Sequence, residues 1–196
     1  MGTRNLTAVY VNGEYKVAQY GQWDGYPSGQ GITCLEFLRD KMDEHKFRDA
    51  LSECSYITDS ELEALWSKYT KSMDGWATIE EAERMKADYP ELSRDTGADI
   101  LELIQNGGAR KLNNNIVFAA DGLFCEWAWV IDLDKRTLEA YEGFQHSETT
   151  ENDRFYFLKD KEEGGYSVVK LCATFDLDNL PSNEDFLAAF KTDEDE

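Results

Sequence analysis

The chain has 196 residues and a formal net charge of −20 at pH 7, with 40 acidic against 20 basic side chains. This balance argues against nucleic-acid binding through phosphate neutralisation, and it favours solubility or a basic partner. No apolar run approaches the roughly 20 residues that span a bilayer, and the first residues lack the pattern of a secretion signal. We therefore expect one cytoplasmic domain over residues 1–196, with no direct nucleic-acid binding and no membrane segment.

Residues 4–20 predict a β-hairpin, because two β-rich runs flank Asn12-Gly13, a dipeptide suited to the positive φ angles of a tight turn. Counting back from the turn gives the expected cross-strand pairs, which are Tyr10 with Tyr15, Ala8 with Val17, Leu6 with Gln19 and Arg4 with Gly21. In this register Arg4 lies beside the start of the segment that follows.

That next segment, QYGQWDGYPSGQG at residues 19–31, combines four glycines with Trp23, two tyrosines and one charge, Asp24. Glycines allow close approach of another group, and the aromatic rings offer stacking faces. A helix with Ile32 and Leu35 on its apolar stripe should begin near Gly31, where free N–H groups favour an anion. The segment thus predicts a pocket wall for a planar or anionic small molecule. The alternative is a structural loop whose aromatics cover the core.

Residues 47–105 predict a helical subdomain with an acidic, solvated face. Capping boxes run from Thr58 to Glu61 and from Thr78 to Glu81. Asp95 or Thr96 is expected to cap a further helix that ends at Asn106-Gly107. The residue before these caps, Arg94, is able to reach the predicted pocket.

Residues 115–177 predict an antiparallel meander, with a hairpin turn at Asp121-Gly122, a strand at 123–133, another in RFYFLKD and a turn at Gly164-Gly165. Both faces of the 123–133 strand are largely apolar, so layers should cover it on both sides. A last helix begins after Ser182, and residues 191–196 form an acidic tail. The fold class is α+β, with antiparallel sheets from the N-terminal hairpin and the C-terminal meander flanked by helices.

Glu126 interrupts an apolar face of that strand. A buried carboxylate needs a partner or its pKa rises, and Arg4, Arg94 or Arg110 is available by sequence. The functional interpretation is a general base or a ligand anchor; the alternatives are a buried structural pair and a solvent-facing position. The complete predicted ligand-binding set is Arg4, Trp23, Asp24, Tyr26, Gln30, Arg94 and Glu126.

Other chemistry has little support in the sequence. His45 and His146 lack metal-ligand spacing, and no serine lies in a GxSxG motif. We expect neither a metal nor a cofactor. The cysteines are far apart and form no CxxC pair, which favours buried, reduced thiols at Cys34, Cys54, Cys125 and Cys172.

TRNLTAVYVNGEYKVAQYG, followed later by WAWVIDLDKRTLEAYEGF, resembles N-terminal-nucleophile hydrolases of the proteasome-like kind. That resemblance implies two packed antiparallel sheets between helical layers, and a nucleophile at a free N-terminus. The only matching position is Thr3, which would need removal of Met1 and Gly2.

GTRNLT, QYGQWDGYPSGQG and LSRDTGA are together similar to a group of small proteins encoded by bacteria and their phages. This similarity implies a counter-defence role. Three functions follow from the sequence. The leading one is a non-catalytic, plausibly phage-encoded inhibitor that blocks a host protein or sequesters a small nucleotide-like ligand. The alternatives are an amidohydrolase using Thr3 and an acidic DNA mimic.

Overall fold

The computed structural model describes residues 2–70, 77–107 and 110–191. The chain is 44% helical and 21% strand, which confirms the α+β class. The strands are β1 Asn5–Val11, β2 Glu14–Gly21, β3 Ser55–Tyr56, β4 Lys111–Leu112, β5 Trp127–Asp132, β6 Thr137–Glu142 and β7 Lys170–Asp176. The α-helices are α1 Ile32–Glu36, α2 Glu44–Glu53, α3 Asp59–Tyr69, α4 Ile79–Asp88, α5 Ile100–Gly107 and α6 Asn183–Ala188.

The hairpin and the meander share one five-stranded sheet of order β2-β1-β5-β6-β7, and β3 pairs with β4 separately. The join is a parallel pairing of β1 with β5; the other neighbours in the large sheet are antiparallel. The two strand groups therefore meet edge to edge, and the packed pair of sheets implied by the hydrolase resemblance is not formed by the described residues. A two-stranded hairpin alone is marginally stable in water, and this join gives β1 a second hydrogen-bonded neighbour.

The predicted hairpin turn is present, with φ angles of 55° at Asn12 and 81° at Gly13. Tyr10 faces Tyr15 as predicted. A bulge then leaves Lys16 without an opposite residue, so each later pair shifts by one position. The predicted pairs of Ala8, Leu6 and Arg4 are therefore wrong; the observed pairs include Val9 with Val17, Thr7 with Gln19 and Asn5 with Gly21.

Helices and loops cover both faces of the large sheet, which confirms the layers predicted on both sides of β5. One face carries Trp129 and Ile131 and packs against residues of α1, α2, α5 and α6. The other face carries Ala128 and Val130 and packs against Phe155 and neighbouring residues of the meander. All four of these β5 side chains are fully buried.

The meander has fewer strands than predicted. RFYFLKD is wrong as a strand, because Tyr156–Lys161 is a 3₁₀ helix. Its buried apolar residues, Phe155 and Leu158, are three apart, the spacing that puts two side chains on one face of such a helix. Asp121-Gly122 is a turn but does not join two strands, since the 3₁₀ helix Ile116–Ala120 precedes it. The predicted Gly164-Gly165 turn is confirmed, and both residues have positive φ.

The α-helix α1 begins at Ile32, which confirms the predicted helix start near Gly31, but the helical run as a whole starts earlier. A π-helical turn at Pro27–Gly31 runs directly into α1, and a second, Phe37–Lys41, follows it. Gly31 lies inside this helical run with a φ of −59°. The run begins at Pro27, whose missing N–H costs nothing at a first helical position. The anion site expected from free N–H groups at Gly31 is therefore absent.

The caps at Thr58 and Thr78 are confirmed, because both reciprocal hydrogen bonds of each capping box are present. The Ser182 cap of α6 and the end of α5 at Gly107 are also confirmed. The cap at Thr96 is wrong. Its hydroxyl donates to the Pro90 carbonyl, 2.5 Å away, and the 3₁₀ turn Gly97–Asp99 precedes α5. The strand β3 also interrupts the predicted helical subdomain.

Three cysteines are buried as predicted, but Cys172 is exposed because it lies on the edge strand β7.

Most of the predicted acidic tail, residues 192–196, lies outside the described residues, as does part of the predicted helical subdomain, residues 71–76. In the described part of the chain, no helix is long and apolar enough to cross a membrane.

Candidate functional site

The segment 19–31 lies at one end of the large sheet, the end at which β2 finishes and β1 and β5 begin. Two buried side chains hold its backbone. The Asn5 amide donates to the carbonyls of Gly21 and Trp23 at 3.2 and 3.1 Å. The Trp129 indole N–H donates to the carbonyl of Gly25 at 2.9 Å. These donors hold the loop backbone in place, although the Asn5 side-chain oxygen itself is buried without a hydrogen-bond partner.

The glycines of this segment serve close packing. A Cβ built on Gly31 would lie 2.7 Å from the Trp129 ring, and one on Gly25 would lie 2.8 Å from the Thr3 carbonyl oxygen. The structural interpretation therefore accounts for the glycines. It does not account for Trp23 and Tyr26, whose rings remain 46% and 45% exposed.

Gln30 and Asp24 have roles inside the loop. The Gln30 side chain donates to the Trp23 carbonyl at 3.2 Å and accepts from the Ala98 N–H at 2.7 Å. Asp24 has a φ of 55°, and its carbonyl accepts from the Gln30 N–H at 2.8 Å. Because both ends of the Gln30 amide are used within the protein, this residue braces the loop, and we do not carry it forward as a ligand contact.

Asp95 was predicted as a possible helix cap. In the structure it instead anchors the exposed Trp23. Its carboxylate accepts from the Trp23 indole N–H at 2.9 Å and pairs with Lys86 at 2.8 Å. The Lys86 hydrogen bond, with further help from Trp23, lowers the pKa of Asp95 against the opposing effect of burial. The charge of Asp95 is thus engaged by Lys86.

Two arginines lie next to the end of β2 that carries Tyr20. The Gln22 N–H donates to the Arg94 carbonyl at 2.9 Å, and Asn5, the residue after Arg4, pairs with Gly21. The Tyr20 hydroxyl donates to the Gln22 side-chain oxygen at 2.8 Å. Burial raises the pKa of Tyr20, and the positive charges of Arg4 and Arg94 oppose that rise. The Arg4 guanidinium carbon also lies 4.1 Å from the centre of the Phe124 ring. Among the described residues neither Arg4 nor Arg94 forms an ion pair.

Glu126 contacts the backbone of Arg4. Its carboxylate accepts from the Arg4 N–H at 3.3 Å, and its own N–H donates to the Arg4 carbonyl at 3.1 Å. Of the alternatives for Glu126, the buried pair with an arginine side chain is not formed among the described residues: Glu126 is partly exposed, and Arg110 pairs with Glu91 at 3.0 Å. Glu126 therefore holds the backbone of Arg4 in position.

Thr3 lies beneath the loop. It is only 6% exposed, and its carbonyl accepts from the Gly25 N–H at 3.0 Å. A Cβ on Gly2 would meet the Trp23 ring at 2.6 Å, so Gly2 packs tightly against that ring. The nucleophile role that the hydrolase resemblance implies for Thr3 stays a prediction.

A cavity of about 540 Å³ borders Arg94. It lies between α3, α4 and the segment 89–95, and its volume is within the range of small-molecule sites. Its lining is mainly apolar and includes Trp66, Met85, Tyr89 and Leu92, with Arg94 and Asp95 at one side. Arg94 therefore borders this cavity, while its carbonyl binds the Gln22 N–H at the end of β2.

The sequence-based prediction missed a buried charged cluster on the sheet face that carries Ala128 and Val130. Arg154 binds the carboxylates of Asp132 and Glu139, and Tyr141 donates to Glu139 at 2.5 Å. The assignment of RFYFLKD to a strand concealed it. The inward-facing acids on β5 and β6 are the signal that could have found it, since buried carboxylates require a cation.

No protein-family model, curated protein or solved structure matches this chain. The phage-related, inhibitory, hydrolase and DNA-mimic roles stay predictions. The described residues contain no group of three or more His, Cys, Asp or Glu side chains arranged to hold a metal ion. Function is therefore inferred from the surroundings of Tyr20.

The placement of the two arginines is testable through Tyr20 itself. Replacing Arg4 and Arg94 together by glutamine is expected to raise the pKa of Tyr20 further, because the charges that oppose its rise are removed. A tyrosine-Cζ NMR titration would measure it. The control is Arg84→Gln, an exposed arginine on α4, which should leave the pKa of Tyr20 unchanged. An unaltered value in the double variant would contradict the geometry.

Proposed function

We propose that this protein binds a small ligand that carries an anionic group and a planar group, without catalysing its conversion. The observation that carries the proposal is that Arg4 and Arg94 both lie next to the end of β2, with no ion pair to either guanidinium among the described residues. In a chain with twice as many acids as bases, two arginines without an ion pair at one end of a strand are unexpected. Guanidinium groups suit phosphate and carboxylate oxygens because their N–H donors match them in pairs.

The aromatic neighbours supply the second part of the recognition. Phe124 and Trp23 are exposed; the Phe124 ring lies against the Arg4 guanidinium, and the Trp23 indole N–H donates to Asp95, the residue after Arg94. Planar groups stack on such rings and on guanidiniums. The leading proposal from the sequence, capture of a nucleotide-like ligand, agrees with this arrangement.

Calorimetric titration with three probes tests the proposal. Inorganic phosphate supplies the anion, adenosine supplies the planar group, and AMP supplies both. We expect AMP to bind more tightly than either part alone. In the variant Arg4→Gln with Arg94→Gln, AMP affinity should fall at least about tenfold, since a hydrogen bond to a charged group contributes roughly 1.5–3 kcal/mol.

Arg84→Gln is the matched control, because Arg84 is also an arginine without an ion pair among the described residues. It should change AMP affinity by less than about twofold, because a surface charge away from a site acts weakly through solvent and salt. Circular dichroism would verify that all variants are folded. Equal AMP binding by the wild type and the double variant would contradict the proposal, as would the failure of phosphate and AMP to bind at all.

A further inference from the structure

We infer that the cavity between α3, α4 and the segment 89–95 binds a small aromatic carboxylic acid. The ring of the ligand lies among the apolar side chains of the lining, and its carboxylate binds Arg94. This inference goes beyond the proposed function, which depends on Arg4 as well. Arg4 is not among the described residues that line this cavity.

The walls of the cavity are mainly apolar. Helix α3 contributes Trp66, helix α4 contributes Ile79, Ala82 and Met85, and Tyr89 follows the end of α4. Two of these five residues are aromatic, which favours a planar ligand because aromatic rings pack well against one another. An apolar lining with few polar groups is typical of small-molecule sites.

One apolar residue of the lining is unusually exposed. Ile79 is 81% exposed, the highest value among the large hydrophobic residues that the structure describes. A single exposed apolar residue is common on a protein surface, but Ile79 lines the same cavity as Trp66 and Ala82. Exposed apolar surface that continues into a cavity is typical of a ligand-binding groove. The volume of about 540 Å³ suits a small molecule.

The charges around the cavity favour one carboxylate on the ligand. Lys86 and Asp95 pair with each other at 2.8 Å, so neither needs a partner from a ligand. Arg94 forms no ion pair among the described residues, and a guanidinium matches both oxygens of a carboxylate. Glu83, the remaining charged residue of the lining, is exposed one helical turn before Lys86, so that solvent and this cation screen it. Arg94 is therefore the charge that is open to a ligand.

This chemistry differs from that of a nucleotide. The polar edges of a nucleobase lose hydrogen bonds when they are buried against an apolar wall, whereas a hydrocarbon ring is stabilised by burial there. Because Arg94 alone remains open, the lining matches one negative charge.

Calorimetric titration of the wild type with three probes tests the inference. The first, α-naphthaleneacetate, has a ring and a carboxylate; α-naphthaleneacetamide has the same ring without the charge, and acetate has the charge without the ring. We expect the acid to bind about tenfold more tightly than the amide, because hydrogen bonds between charged groups are the stronger ones. Acetate should show no measurable binding. Equal affinity of acid and amide, or no binding of either, would overturn the inference.

Two pairs of variants locate the ligand. Arg94→Gln should remove the preference for the acid over the amide, whereas Arg84→Gln, on α4 but outside the lining, should keep it. Ala82→Phe should weaken binding of both probes at least about tenfold, since the new ring and the ligand cannot share one space. Ala87→Phe is its control, because Ala87 is exposed on the same helix and is not among the described lining residues. Equal effects of the two phenylalanine variants would place the ligand elsewhere and contradict the inference.

The outcomes separate this inference from the proposed function. Arg4→Gln should weaken AMP binding and leave the binding of α-naphthaleneacetate unchanged. If AMP binding depends on Arg4 and Arg94 but α-naphthaleneacetate does not bind, only the inference is wrong. If α-naphthaleneacetate binds in the expected pattern and AMP does not bind, only the proposed function is wrong. A wild type that dimerises in analytical ultracentrifugation, with a monomeric Ala82→Phe variant, would mean that a second copy fills the cavity, which also overturns the inference. Because the comparison of the three probes needs no variant, an unfolded variant would not prevent the test.

Discussion

Replacing Arg154 by leucine is expected to lower the free energy of unfolding by about 3–5 kcal/mol, because removing one partner of a buried ion pair leaves uncompensated charge. The Arg154 side chain is 10% exposed, and its carboxylate partners Asp132 and Glu139 are 1% and 7% exposed. Two carboxylates would remain in the interior without their cation. The measurement is urea unfolding of wild type and variant, followed by circular dichroism.

The surrounding contacts explain why the loss should be large. The Arg154 Nε donates to Glu139 at 2.7 Å, and the same guanidinium binds Asp132 on the neighbouring strand. Burial, together with the hydrogen bond to Glu139, raises the pKa of Tyr141, which keeps that hydroxyl protonated as a donor. The cluster thus links β5, β6 and the segment before the 3₁₀ helix Tyr156–Lys161, and one substitution affects all three.

Arg136→Leu is the matched control for this prediction. Arg136 also binds two carboxylates, Glu44 at 3.1 Å and Asp178 at 2.6 Å, but its side chain is 37% exposed. Surface pairs contribute about 0–1 kcal/mol because water and salt screen them, so this variant should lose no more than that. Equal losses in the two variants would show that burial of the Arg154 cluster adds nothing. Adding Asp132→Asn and Glu139→Gln to Arg154→Leu should recover part of the loss.

The second large effect is expected at Gly31. Gly31→Ala should lower the free energy of unfolding by about 1–3 kcal/mol through overpacking. The new methyl group would lie 2.7 Å from the Trp129 ring and 3.2 Å from Phe186. Trp129 has little room to move, since it is fully buried, stacks on Trp127 and donates to the Gly25 carbonyl.

The sign of this change is informative. Alanine is favoured over glycine in a helix by about 1 kcal/mol, so a stabilised Gly31→Ala variant would mean that the ring contact is not tight. Ser28→Ala is the control, because Ser28 is exposed in the same π-helical turn. We expect its unfolding free energy, measured in urea, to stay within about 0.5 kcal/mol of wild type.

The sequence predicted a functional and a structural role for residues 19–31, and the tertiary structure assigns different residues to each role. The glycines pack against buried groups that come from elsewhere in the chain, as Gly31 does against Trp129. No sequence pattern within the segment indicates those neighbours. Trp23 was predicted as a ligand contact and is exposed beside Arg94, whereas Gln30 is used inside the protein. Only the folded arrangement separates these two roles.

The elements that the sequence determined by itself are the local ones. The capping boxes at Thr58 and Thr78, the turn at Asn12-Gly13 and the cap at Ser182 depend on residues within a few positions of each other. Such contacts form between neighbours along the chain, and the residue types that make them are few. The apolar residues on both faces of β5 likewise predicted two covered faces, which the structure confirms.

The tertiary structure alone decided the parallel pairing of β1 with β5, the Arg154 cluster and the placement of Arg4 and Arg94 next to the same end of β2. Residue 4 meets residue 126 across 122 positions, and residue 154 meets residue 132 across 22. Charge and hydrogen-bonding capacity are visible in a sequence, but the choice among several possible partners depends on which strands become neighbours. That choice is made by burial of both sheet faces at once, which is a property of the whole chain.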